Sequence, residues 1–331
     1  MKKALIFGIS GQDGSYLAEL LLSKGYSVYG VIRRSSTPNT KNIDHLLGES
    51  PKITLFYGDV ADTASVFSVI EEVCPDEIYN LAAMSHVGTS FKMPITTFDS
   101  IGMGTLNILE AIRQHELVIK YYGAMTSELF GGTPPPQNEE SKLNPVSPYS
   151  CAKLYAYELS KVYREAYGMF ICNGILYNHE SSRRGENFVT KKIVRSAVRI
   201  KMGLQDKIKL GNIDAKRDWG HANDYVKAMY MMMQHSTSDD YIVATGETRT
   251  VREFAEIVFN KLGLDFNNCL IIDKNLYRPC EVPVLLGDST KIRKTLGWKP
   301  EIDFNSLVAD MVNGVWNEEI SNSNKIDRKY I

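Results

Sequence analysis

Short apolar runs separated by amphipathic stretches fill the first half of the 331-residue chain. ALIFGI (4–9) predicts a first strand, and the helical spacing after it predicts a helix over about 13–24. SVYGVI (27–32), KITLFYG (52–58), EIYNLAA (77–83), VIKYYGA (118–124) and FICNGILYN (170–178) predict further strands. Helical spacing covers 63–73, about 98–115 and 149–167. Near-continuous apolar strands alternating with helices predict an α/β fold. Its architecture is a Rossmann-type doubly wound parallel sheet, covered on both faces and joined by right-handed crossovers.

After residue 178 the rhythm loosens. HESSRRGEN (179–187) is polar and arginine-rich. Helices are predicted over about 188–202, 223–235 and 251–263, with strands at IKLGN (208–212) and DYIVATG (240–246). We read 1–178 as the main unit and 179–320 as a smaller C-terminal α/β lobe with elements returning to the main sheet. Residues 321–331 read as a polar, frayed tail. The connection 33–50 is long for such a fold, and loops of that length usually serve a function.

Composition narrows the classes. Thirty-eight basic residues against 39 acidic ones leave a net charge of −1, so no global attraction draws the chain to nucleic acid or an anionic membrane. Five scattered cysteines with no CxxC predict a reducing compartment and neither a disulfide framework nor a metal site. The opening MKKALIFGISG has too short an apolar run for a secretory signal, and no stretch approaches a membrane span. A cytoplasmic protein is expected.

Gly8, Gly11 and Gly14 follow the first strand and open the first helix. Glycines there allow a tight turn and close approach of a pyrophosphate to the helix N-terminus, where free amides and the dipole favour an anion. Read alone, they are equally a ligand-free turn. The second strand ends in Arg33, Arg34 and Ser35, with no acidic residue to accept from ribose hydroxyls. Two guanidiniums and adjacent hydroxyls suit a 2′-phosphate, so NADP is expected over NAD. Asp59, after the third strand, is placed for the adenine side.

Tyr149 and Lys153 lie four apart after a proline, on one helical face. Without a cofactor the pair reads as structural. Beside a nicotinamide it reads as a phenol whose pKa an ammonium lowers, ready to take a proton from an alcohol. Thr126 and Glu128 end the fifth strand, at the sheet edge where ligands bind. A threonine suffices for alcohol oxidation. A glutamate beside it is either a satisfied turn carboxylate or the group for a second proton transfer.

These stretches resemble the extended short-chain dehydrogenase/reductase family, and within it the GDP-mannose 4,6-dehydratases. The resemblance runs from Gly8 to about Pro300 and is carried by GISGQDGSYLAE, VIRRSS, MTSELFG, SPYSCAKLYAY, NHESSRRGENFVTKKI and LGNIDAKRDWGHANDYVKAM. It implies a deoxysugar-forming lyase: Tyr149, with Lys153 and Thr126, removes the C4 hydroxyl proton while NADP takes the hydride. Glu128 then removes the C5 proton and assists loss of the C6 hydroxyl as water, and hydride returns to C6.

The same resemblance implies cofactor contacts from Gln12, Asp13, Val60, Leu81, Ala83, His179 and Arg184, in addition to the residues above. It implies substrate contacts from Ser85, Ser127, Asn178, Val189, Lys192, Asn212, Arg217, Arg278 and Glu281, so that 179–320 mainly binds a GDP-sugar. A homo-oligomer, dimer or tetramer, is implied as well. Against the family pattern, Pro38 and Asn42 stand for an aromatic residue and an arginine in the long connection, Met84 and Gly123 for glutamines, Met125 for a serine, Val146 for an arginine, and Gly88 follows the valine of SHV. Loss of polar groups at unchanged chemistry would follow from a changed sugar, GDP-manno-heptose in place of GDP-mannose. Two other readings stay open: a 4-epimerase or 4-reductase of the same superfamily, and a nucleotide sensor without catalysis.

Overall fold

The computed structural model describes residues 1–115 and 118–327. The main unit follows the order β1 (Lys3–Phe7), α1 (Gln12–Ser23), β2 (Ser27–Ile32), β3 (Ile53–Tyr57), α2 (Thr63–Val73), β4 (Glu77–Asn80), α3 (Gly104–Gln114), β5 (Lys120–Thr126), α4 (Pro148–Tyr167), β6 (Ile171–Leu176). Later come α5 (Val189–Lys201), α6 (Ala222–Gln234), β7 (Asp240–Val243), α7 (Val251–Lys261) and α8 (Phe304–Asp327). Across the main sheet the order is β7-β6-β5-β4-β1-β2-β3, every pair parallel. The order reverses between β1 and β4, and at such a switch point the carboxyl ends of the strands leave a crevice for a ligand.

The C-terminal half contributes to both bodies of the fold. Tyr225, Val226, Met229, Met232 and Met233 of α6 are buried in the same cluster as Ala4, Ile6, Tyr79 and Tyr122. The lobe has its own core, with Val194 and Val198 of α5, Phe254 and Val258 of α7, and Leu307 and Met311 of α8.

Three boundaries differ from the sequence reading. EIYNLAA keeps strand form only to Asn80, because Leu81 and Ala82 pass under Gly8. FICNGILYN ends at Leu176; residues Asn178–Glu180 leave the sheet to pair with Trp219–His221. The expected frayed tail is instead the end of α8, which runs through Asp327. Its buried Leu307, Met311 and Val315 anchor the helix from the N-terminal side. Residues 328–331 of that tail lie outside the described residues.

Candidate active site

A continuous cleft of about 810 Å³ opens along the carboxyl ends of the strands and runs into the C-terminal lobe. At one end lies the glycine loop. Gly8 has φ +84°, a region that favours glycine, and a Cβ at Gly14 would stand 2.3 Å from the Gly8 carbonyl oxygen. Gly11 caps α1 without any side-chain hydrogen bond. The first-turn amides are therefore left to an anion, and the cradle fits a dinucleotide pyrophosphate.

Below this loop a cross-link ties α1 to the 178–188 segment. Gln12 donates to the His179 carbonyl at 3.1 Å and accepts from Ser181 at 2.8 Å. His179 places Nδ1 2.7 Å from the Tyr177 carbonyl oxygen and Nε2 2.8 Å from the Asp13 carboxylate. Both ring nitrogens face acceptors, an arrangement that favours the doubly protonated imidazole. Burial disfavours both charges, yet the charge and hydrogen bond of the partner outweigh it. His179 is pushed up and Asp13 is held down.

The reactive corner lies further along. A capping box between Ser147 and Ser150, with Pro148 in the first turn, starts α4 and delivers Tyr149 and Lys153 to the cleft. Thr126 ends β5 and accepts from the Glu128 amide at 3.2 Å, and its hydroxyl hydrogen-bonds the Tyr149 phenol. Thr126, Glu128, Tyr149 and Lys153 are each between 6% and 8% exposed, dry enough for electrostatics to be strong. Lys153 Nζ donates to the Ala124 carbonyl at 2.6 Å, and burial lowers it to about 8. Tyr149 is pushed up to about 12, chiefly by burial; Thr126 and the charge of Arg184 pull the other way.

In the lobe, Arg217 is buried, donates to the Lys216 and Val282 carbonyls, and meets Glu281 at 3.0 Å. Arg278 lies 3.7 Å from Glu128 and 3.9 Å from Glu281. Asn178 Oδ1 is buried without a hydrogen-bond partner among the described residues. The cleft also collects Ser85, Ser127, Val189, Lys192 and Asn212 from the substrate group, and Arg33, Asp59, Val60, Leu81, Ala83, His179 and Arg184 from the cofactor group.

Arg34 and Ser35 fall outside it. The Arg34 guanidinium lies over the Tyr57 ring at 5.7 Å, and Ser35 donates to the Thr37 carbonyl. Side chains alternate along a strand, so of two consecutive arginines at the end of β2 only Arg33 reaches the cleft.

Of the departures from the family pattern, Gly123 and Val146 lie outside the cleft lining, whereas Met84 and Met125 border it. An ideal Cβ at Gly123 would stand 2.7 Å from Asn173 Oδ1 and 2.9 Å from Met125 Cε. Met125 borders the cleft but folds its end back over Gly123, so the two exchange volume within the core. Val146 packs in the same cluster, against Gly131. Gly88 does border the cleft, beside His86. Sequence reasoning missed His86, Glu180 and Phe188, which line the cleft between the two groups. Only their position within SHV and NHES…NFVT marks them in the sequence.

A profile of the family described as GDP-mannose 4,6 dehydratase matches residues 5–311. The chain belongs to the GDP-mannose 4,6-dehydratase family. It is accordingly an enzyme, a hydro-lyase acting on a GDP-sugar. It is 51% identical over 320 residues to GDP-mannose 4,6 dehydratase 1 of Arabidopsis thaliana, covering 94% of this chain and 89% of that one. Among solved structures, the UDP-glucose 4-epimerase of Thermus thermophilus with NAD superposes with a TM-score of 0.83 at 23% identity, covering 95% and 98% of the two chains. RMD from Pseudomonas aeruginosa with NADPH gives 0.80 at 22%, covering 96% and 100%. These two show the family's extended Rossmann fold, in which both nicotinamide dinucleotides are found.

Proposed function

We propose that this dehydratase uses NADP to convert GDP-mannose or GDP-D-glycero-D-manno-heptose to the GDP-4-keto-6-deoxy sugar. The observation that carries the reading is the meeting of Thr126, Glu128 and Tyr149 in one buried corner of the cleft whose far end is the uncapped α1. The pyrophosphate of NADP would lie on the Gly11–Gly14 amides, its 2′-phosphate on Arg33, and its adenosine by Asp59 and Val60. NADP, when bound, takes hydride from C4 and returns it to C6, so none is consumed.

Tyr149 receives the C4 hydroxyl proton, with Thr126 steadying its oxygen. Glu128 takes the C5 proton, acidic beside the new ketone, and passes it to the departing C6 hydroxyl as water; Tyr149 then returns its proton to C5 as C6 is reduced. Lys192, which forms no ion pair among the described residues, and Arg278 meet the diphosphate, and Asn178 accepts from the substrate. Glu281, beside Arg217, accepts from the ribose. A 4-epimerase or reductase needs only the C4 step, and for it Glu128 would be dispensable. The glycine at position 88 leaves room beside His86 for the extra carbon of a heptose.

The test is product mass after incubation with NADP+ and each GDP-sugar. Loss of 18 units without net cofactor reduction supports the reading, and no change with either sugar overturns it. No described helix is long and apolar enough to cross a membrane, which fits a cytoplasmic enzyme. Ile95, Phe98, Tyr155 and Val162 are exposed apolar side chains, with the Phe98 and Tyr155 rings 5.4 Å apart. They support a homo-oligomer, and I95E/V162E is expected to lower the mass seen by light scattering.

A further inference from the structure

Residues 41–46, late in the long connection between β2 and β3, are anchored in the same core as α1. Ile43 is fully buried in the cluster that holds Ile9 and Leu17, and Leu46 joins it. His45 meets Glu19 of α1 at 2.7 Å, and Lys41 meets Glu318 of α8 at 3.1 Å. His45 and Lys41 are exposed in these pairs, so the apolar anchor and not the charges fixes the segment.

Beside that anchor, Asn42 Nδ2 donates to the Ser10 carbonyl at 3.0 Å in a part-buried contact. Ser10 belongs to the glycine loop and borders the cleft, whereas Asn42 stands behind the loop, outside the cleft lining. The Gly11 amide, the other half of the same peptide unit, donates to the Gly8 carbonyl at 3.0 Å. A peptide unit is planar, with its C=O and N–H pointing in opposite directions. The Ser10–Gly11 unit is therefore held at both ends, by the loop's own turn and by a side chain 32 positions on. That unit leads directly into Gln12, Asp13 and Gly14, whose amides open α1. The glycines that permit the turn also give the backbone freedom that a bound anion would have to remove. A side chain that fixes the turn beforehand lowers this ordering cost.

We propose that Asn42 is a positioning residue for the dinucleotide: by holding the Ser10–Gly11 peptide it pre-organises the glycine loop for a pyrophosphate. This rests on the reading of that loop as the pyrophosphate cradle. The residue that stands where the family pattern has an arginine acts here as a neutral donor to the chain's own loop.

The experiment is titration of NADP+ and of NAD+ into full-length enzyme stripped of cofactor, for the parent, N42A and N42D. Aspartate keeps the size of asparagine but, ionised, cannot donate. We expect both variants to bind each dinucleotide about fivefold more weakly, with kcat at saturating NADP+ within about twofold. The factor should be the same for the two cofactors, because both carry the pyrophosphate. Unchanged affinity in N42D overturns the proposal, and so does a loss confined to NADP+, which would put residue 42 at the 2′-phosphate. A fall in particle mass by light scattering alongside the loss also counts against it, since the contact would then lie between subunits. If one variant folds poorly by circular dichroism, the other carries the test. A parent enzyme that binds neither dinucleotide sinks the reading of the glycine loop. A parent that binds NADP+ beside a parent-like N42D sinks only the role of Asn42.

Discussion

Tyr149 and Lys153 stand one helical turn apart, yet phenol and ammonium serve different partners. Lys153 is buried, and burial lowers it to about 8 from an ordinary value near 10.5. The folded chain therefore gives up this proton before the unfolded chain does. Unfolding takes up a proton between about pH 8 and 10.5, so this group's contribution to stability rises with pH across that window. Below it the buried charge costs about 3 kcal/mol, at ~1.4 per unit. K153M should lose turnover yet melt no lower than the parent at pH 7, with a flatter stability profile between pH 8 and 10.5. Melting several degrees lower would contradict this. E128Q should lose about a hundredfold or more in water loss while binding NADP normally; isotope exchange at C5 in product would show which step failed. R33A should weaken NADP about tenfold and NAD much less, and R34A should do neither, as titration of each cofactor would reveal. The arginine pair is visible in the sequence, but not which member reaches the cleft.

At the scale of the element, strand alternation decides what the family departures mean. Gly123 and Met125 are two apart on β5, so they share the face opposite Thr126. Their bulk is exchanged between neighbours on that face, next to Asn173. G123Q alone should destabilise the protein by about 1–3 kcal/mol through overpacking. G123Q/M125S should recover most of that, with the preference between the two sugars unmoved; chemical denaturation and competition kinetics read the two effects. The sequence reading expects these changes to mark a different sugar; the strand adds that the two positions are neighbours on one face. The helix starts were legible, since Gly11 and the Ser147–Pro148 pair are local signals. The break between β6 and Asn178 was not, because residues 178–180 are paired by Trp219–His221, some forty positions on.

For the whole molecule, the boundary at 178 marks a change of rhythm and not an independent unit. α6 supplies Met229, Met232 and Met233 to the core beneath β1 and β4, and β7 completes the sheet beside β6. A fragment ending at 178 would expose that apolar face to water. We expect the 1–178 fragment to aggregate or to lack a cooperative thermal transition, where the full chain shows one; a folded, NADP-binding fragment would contradict this.

The order of strands and helices along the chain and the glycine loop after β1 were determined by the sequence alone. Each depends on local periodicity or on residue types at fixed short spacing, and those survive any packing. The tertiary structure alone decided which groups meet. It turned Lys153 to the Ala124 carbonyl, buried Glu180 behind Arg184, and brought Arg278 to Glu128. A charge has no partner until folding brings distant segments within a few ångströms and removes the water between them.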